Sequence, residues 1–318
     1  MGDQTDVQHT AQSAQTVPDG SLVGIVGAGT MGIGVAQCFA EAGLPVVVVD
    51  NDPGALASGP DRLRAGIRTA ALLRRGARQA RAGAPAPRAE SLVTWSAELA
   101  DLAAARLVVE CAREDEDIKE GLLRELDRLC GAETIFASNT SCIPVGRLGS
   151  FTGRPDRVIG THFMNPAPLK DAVEVIRAPE TSDLTLERTE GFLAHIGKHA
   201  LVVRDAPGFV TNRVLMLTLN EAAAVLGEGT ADAETVDRIF QDCFGHPMGP
   251  LRTADLIGLD TIADSLEVLR RHTGEDRFRP CPLLSRLVAE GRVGRKSGSG
   301  FYTYAPQHLV GRGGADRD

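Results

Sequence analysis

The stretch LVGIVGAGTMG, residues 22–32, decides the fold. It opens as a short apolar run ending in glycine, the pattern of a strand buried in a parallel sheet. Gly27, Gly29 and Gly32 follow with G-x-G-x-x-G spacing, and residues 31–42 place Ile33, Ala36, Phe39 and Ala40 on one helical face. Residues 45–50, PVVVVD, read as a second strand ending in an acid. Strand, glycine turn, helix and strand make the βαβ unit of a doubly wound Rossmann sheet. Gly27 permits the tight turn, Gly29 lets backbone approach a pyrophosphate, and Gly32 lets the helix pack closely on the sheet. The amides at the helix start, those of Thr30 and Met31, then face the phosphates with the helix dipole behind them. Asp50 stands where a carboxylate accepts from the adenosine ribose hydroxyls and repels a 2′-phosphate. The expected cofactor is NAD rather than NADP.

Outward from this unit, further strands are expected at 106–110, 133–137, 157–162, 172–176 and 200–204. After Pro207 and Gly208 the pattern becomes helical, at 209–226, 232–244, 254–272 and 282–290. The expected division is a disordered leader at 1–20, a Rossmann domain at 21–205, an all-α domain at 206–305 and a disordered tail at 306–318. The chain has 318 residues, enough for two such domains. Its net charge of −8 argues against general nucleic-acid binding. It has no apolar run of membrane-spanning length and no basic-then-apolar leader, so no membrane or secretory role is expected. The six cysteines form no C-x-x-C pair, which fits a reduced cytoplasmic protein without a metal site.

Two further regions carry chemistry. His162 ends an expected strand in the nucleotide-binding half, where open α/β sheets place ligands. Glu174 lies on the next strand-like run, and adjacent strands would set its carboxylate behind the imidazole. Alone, His162 reads more readily as a packed structural histidine than as a catalytic one. Ser138-Asn139-Thr140-Ser141 follows another strand end and reads either as part of the same crevice or as a polar turn. The second region, 62–88, carries Arg62, Arg64, Arg68, Arg74, Arg75, Arg78, Arg81 and Arg88 and no acid. It is either a solvated face, with a helix at 61–75, or an anion site for a phosphorylated tail or an acidic carrier. His195 and His199 are expected near a helix end facing solvent, His246 in a turn, and Trp95 in packing. GRKSGSGF, 294–301, is expected as a turn docking the C-terminal segment.

The chain resembles the 3-hydroxyacyl-CoA dehydrogenase family, in particular its short bacterial 3-hydroxybutyryl-CoA members. The resemblance rests on VGIVGAGTMGIGVAQCFAEAG (23–43), VVE (108–110), ASNTS (137–141), THFMNP (161–166), VEVI (173–176), DAPGFVTNR (205–213), HPMGPLRTADLIGLDT (246–261), RPCPLL (279–284) and GRKSGSGFY (294–302). It implies a Rossmann domain, a helical domain that usually dimerises, and NAD-dependent interconversion of a 3-hydroxyacyl thioester and its 3-oxo form. Carried over by position, it makes His162 the general base, Glu174 its partner and Ser141 a donor to the substrate's C3 oxygen. Asn165 and Asn212 become further substrate contacts, and Glu114 and Lys119 lie near the nicotinamide half of the cofactor.

The segment after the second strand departs from the family, being short and ending in GARQARAGAPAPRAE (76–90). Cys142 stands where many relatives have a second serine, and Ser299 replaces a frequent lysine. This opens a second reading, an acyl-carrier-protein substrate such as the glyceryl thioester of methoxymalonyl extender-unit (polyketide) synthesis. A sugar-acid or carnitine-type dehydrogenase is a third. A non-enzymatic NAD-binding role is opposed by the intact His162, Glu174, Ser141 and Asn212.

Overall fold

The computed structural model describes residues 17–18, 20–77 and 89–304. The chain divides into two units, Met1–Phe209 and Val210–Asp318. The first holds β1 (Val23–Val26), α1 (Thr30–Glu41), β2 (Val46–Val49), α2 (Pro53–Ala77), β3 (Val93–Ser96), β4 (Leu107–Glu110) and α3 (Glu116–Leu129). It continues through β5 (Ile135–Ser138), α4 (Val145–Gly149), β6 (Val158–His162), β7 (Ala172–Arg177), α5 (Asp183–His195) and β8 (His199–Arg204).

The eight strands form one sheet in the order β3-β2-β1-β4-β5-β6-β7-β8. Every neighbouring pair is parallel except β6 with β7. The order reverses between β1 and β4, and such a switch point opens a crevice at the carboxyl ends of the strands. The central strands are buried throughout because both faces carry core. Val23, Ile25, Val48 and Val109 pack with α1 on one face, and Val26, Val108 and Phe136 pack with Leu123, Leu126 and Leu148 on the other.

The turn between β1 and α1 has the form its glycines demand. Gly27 has φ 103°, and a Cβ there would lie 2.8 Å from the Cys111 carbonyl oxygen. A Cβ on Gly32 would lie 1.8 Å from the Gly27 carbonyl oxygen, so helix and turn meet at backbone distance.

The second unit is helical: α6 (Thr211–Gly227), α7 (Ala233–Arg238) with a π turn at Ile239–Cys243, α8 (Pro250–Ile257), α9 (Leu259–Thr273) and α10 (Pro282–Ala289). Its core gathers Met216, Leu219, Leu251, Leu259, Leu266 and Phe278. Two buried aspartates hold it. Asp237 accepts from the Leu251 amide at 2.7 Å and the Tyr302 hydroxyl at 2.7 Å. Asp255 accepts from the amides of Phe301 and Tyr302, both at 2.9 Å, and from the Tyr304 hydroxyl at 2.9 Å. The 294–301 stretch is accordingly a turn that docks the end of the described chain.

Several expectations change. The single helix expected at 254–272 is two helices, broken at Gly258, whose φ of 109° no helix accommodates. The edge strand Val93–Ser96 is not expected from sequence, because its alternation, VTWS, runs for only four residues, too few to establish a period. Its Trp95 does pack, against α2 at Gly59, where a Cβ would lie 2.3 Å from the indole ring. The arginine-bearing helix starts at Pro53, not at 61, and runs through Pro60. His199 opens β8 and is not helical, although it and His195 are exposed as expected. His246 packs its ring on Phe240 and Phe244 beside α7. Apart from residues 17, 18 and 20, the expected leader and the tail at 306–318 lie outside the described residues, as do Arg78, Arg81 and Arg88. Among the described residues no helix is long and apolar enough to cross a membrane.

Candidate active site

At the carboxyl edge of the sheet, β6 and β7 pair antiparallel with His162 opposite Glu174. The pairing brings His162 Nδ1 to 3.0 Å from Glu174 Oε2, with both side chains buried. Nδ1 donates to the carboxylate, which leaves Nε2 as the acceptor facing outward. Nε2 lies 3.2 Å from the Ser141 hydroxyl. The Phe209 ring stands edge-on to the imidazole, 6.0 Å between centroids, and closes its other side.

Glu114 shapes the turn that presents Ser141. One carboxylate oxygen accepts from the Thr140 hydroxyl at 2.6 Å and from the amides of Ser141 and Cys142, each at 2.8 Å. A serine, histidine and glutamate in a row is also the arrangement of a hydrolase. Here the amides beside the serine are committed to Glu114, so they offer no oxyanion hole, and the row favours proton transfer over acyl transfer.

Behind Glu114 lies a fully buried ion pair. Lys119 Nζ is 2.7 Å from both oxygens of Glu110 and 3.6 Å from Glu114. Glu110 also accepts from the Ser138 hydroxyl at 2.5 Å and the Ala112 amide at 2.6 Å. Burial works against the Lys119 ammonium, but Glu110 and Glu114 outweigh it and raise the pKa above the ordinary lysine value. These bonds tie the end of β4, the end of β5 and the start of α3 into one rigid rim.

The loop after His162 is gripped from three sides. Asn139 accepts from the Phe163 amide at 2.8 Å. Buried Lys198 donates to the carbonyls of Ala167 at 2.8 Å and Lys170 at 2.5 Å, and Arg74 donates to that of Pro168 at 2.8 Å. Asn165 lies exposed in this loop. Asn212 lies in the first turn of α6, in the second unit.

On the cofactor side, Asp50 Oδ2 accepts from the Ala28 amide at 2.6 Å and Oδ1 from the Asp52 amide at 2.9 Å. α1 begins at Gly29 with no side-chain cap and no acid in its first turn. α3, by contrast, is capped by Asp115 and α5 by Ser182. A Cβ built on Gly29 meets nothing within 4 Å. Open space over uncapped amides fits a dinucleotide pyrophosphate.

The comparisons with known proteins point the same way. Residues 22–206 match the model of the 3-hydroxyacyl-CoA dehydrogenase NAD binding domain, and residues 208–304 match that of the 3-hydroxyacyl-CoA dehydrogenase C-terminal domain. The chain belongs to the 3-hydroxyacyl-CoA dehydrogenase family. A protein described as a probable 3-hydroxybutyryl-CoA dehydrogenase of Deinococcus radiodurans is 43% identical over 88% of this chain and 99% of its own length. The 3-hydroxybutyryl-CoA dehydrogenase of Bradyrhizobium diazoefficiens is 42% identical over 89% of this chain and 94% of its own. Among solved structures, Mycobacterium tuberculosis FadB2 matches with a TM-score of 0.83 at 38% identity, over 89% of this chain and 98% of that one. This family member is therefore an oxidoreductase that uses NAD, built from a Rossmann domain and a helical domain.

Sequence reasoning left several structural residues unassigned. Glu110 was visible only as an acid ending an apolar strand, the signal that marked Asp50. Asn139 lay inside a segment already singled out. Arg62 stands in sequence within the arginine-rich stretch 62–88, and its guanidinium lies on the glycine turn.

Proposed function

We propose that this dehydrogenase oxidises a short 3-hydroxyacyl-CoA thioester to its 3-oxo form, and reverses the reaction, with His162 as the acid–base group. The observation that carries this reading is His162 Nε2 facing Ser141 at 3.2 Å while Nδ1 is fixed on Glu174 at 3.0 Å. Bound NAD supplies the hydride acceptor. His162 takes the hydroxyl proton as the C3 hydride leaves, and Glu174 stabilises the imidazolium that results. Ser141 donates to the C3 oxygen as it becomes a carbonyl. Asn165 and Asn212 are proposed as further amide donors to the substrate. Lys119 and Glu114 act here as the support of the Ser141 turn.

The CoA reading takes its substrate from the relatives, which are described as 3-hydroxybutyryl-CoA dehydrogenases. Three arginines of α2 are committed within the chain rather than offered to an acidic carrier protein. Arg62 is held on the glycine turn, Arg64 pairs with Asp61, and Arg74 pairs with Glu41 at 2.8 Å. Turnover should be compared for 3-hydroxybutyryl-CoA, a glyceryl carrier-protein thioester and a free sugar acid, following NADH. The expected result is the highest kcat/KM with the CoA thioester. A higher value for the carrier-bound substrate, or for the free acid, would overturn the substrate assignment in favour of that class.

A homodimer through the second unit is also proposed. It is supported by an apolar groove of about 680 Å³ lined by Leu217, Val225, Val236 and Phe240, beside the half-exposed Ile239. Sedimentation is expected to give twice the mass of the 33.6 kDa chain. A single-chain mass at micromolar concentration would contradict it.

A further inference from the structure

Arg62 projects from α2 across to the turn between β1 and α1. Its guanidinium donates to the Ala28 carbonyl at 2.9 Å and lies 3.5 Å from the Thr30 hydroxyl. The residue is exposed, and among the described residues no carboxylate lies within 4 Å of its charged nitrogens. A guanidinium has five N–H donors, and these two neutral oxygens occupy a minority of them. Two other arginines of α2 are ion-paired instead. Arg64 and Arg74 are neutralised by Asp61 and Glu41.

The surroundings are arranged for an anion. Asp50 accepts from the Ala28 amide, one peptide unit before the carbonyl that Arg62 holds, and both of its oxygens are engaged by backbone amides. Gly29 leaves open space at the uncapped start of α1. Arg62 therefore adds a full positive charge, anchored to the turn by its own hydrogen bond, where the helix amides supply only partial charge.

We infer that Arg62 is a cofactor-binding residue that donates to the dinucleotide pyrophosphate, supplementing the glycine turn. The inference rests on NAD binding to this turn. Arg62 is anchored before the cofactor arrives, so little side-chain freedom is lost on binding.

The test is calorimetric binding of NADH, ADP-ribose, adenosine and NADPH to the full-length protein and to Arg62→Gln, Arg62→Lys and Arg62→Ala. Gln keeps a donor for the Ala28 carbonyl and removes the charge, which separates holding the turn from holding the anion. The expected result for Arg62→Gln is a rise of about 10-fold in Kd for NADH and for ADP-ribose alike. Adenosine binding stays unchanged, Lys restores part of the loss, and the difference shrinks as salt screens the charge. Unchanged ADP-ribose affinity in Arg62→Gln, with loss confined to Arg62→Ala, would make Arg62 a brace of the turn and overturn the assignment. A loss confined to NADPH would place the guanidinium at the ribose 2′ position and also overturn it. Wild-type protein that fails to bind NADH would remove the cofactor reading itself, a result distinct from either.

Discussion

Replacing His162 with Gln lowers kcat by about 10²–10⁴, the usual contribution of a positioned acid–base group, while the Kd for NADH stays at the wild-type value. The split follows from the geometry. His162 stands at the end of β6, three strand spacings from the glycine turn on β1, about 14 Å across the sheet. Gln keeps a polar group near Ser141 but neither takes a proton nor returns one. Glu174→Gln is expected to cost less, about 10–100-fold. It removes one charge-assisted hydrogen bond, worth about 1.5–3 kcal/mol, from the imidazolium that forms in turnover. Steady-state kinetics beside NADH titration checks both variants. A His162→Gln enzyme that loses cofactor affinity in proportion to rate would show that the residue supports the fold rather than the chemistry.

Replacing Lys119 with Met destabilises the protein by about 3–5 kcal/mol, because Glu110 keeps its buried carboxylate and loses the cation held at 2.7 Å. The loss spreads beyond stability. Glu110 holds Ser138, and Lys119 also faces Glu114, which holds the Ser141 turn. A slackened rim displaces Ser141 from His162 and lowers kcat as well. The folded pKa of Lys119 is raised, so its share of stability is complete below the ordinary lysine value and is lost only as pH climbs through the raised one. Urea unfolding of wild type and Lys119→Met at neutral pH checks the first claim. A double replacement of Glu110 and Lys119 by apolar residues is expected to be less destabilised than the single variant. A single variant within about 0.5 kcal/mol of wild type, the range of an ordinary surface change, would show that the pair is dispensable.

The sequence made the Rossmann unit legible because its signals are local. The glycine spacing, the helical period from Ile33 to Ala40 and the acid at Asp50 all fall within one βαβ segment. The helical second half was legible in outline but not in its breaks. Gly258 ends one helix and starts the next without any polar stretch to mark it. The edge strand at Val93–Ser96 was hidden because its partner lies 47 residues away, Val46 opposite Val93, and nothing local announces that pairing. In the site, His162 and Glu174 were nameable as residue types at strand ends. Their register, and the approach of Ser141 from a third strand, are long-range facts that spacing alone leaves open. Arg62 shows the converse. Its charge was conspicuous in sequence, but its position on the Ala28 carbonyl depends on how α2 packs beside α1.

The central claim is that His162, fixed by Glu174 and facing Ser141, moves the proton that accompanies hydride transfer. Its most direct measurement is single-turnover NADH formation from 3-hydroxybutyryl-CoA, unlabelled and deuterated at C3, with wild type and His162→Gln saturated in NAD. The predicted result is a transfer step slowed by about 10² or more in the variant, with the isotope effect fully expressed and cofactor loading unchanged. Hydride transfer in His162→Gln at the wild-type rate would contradict it.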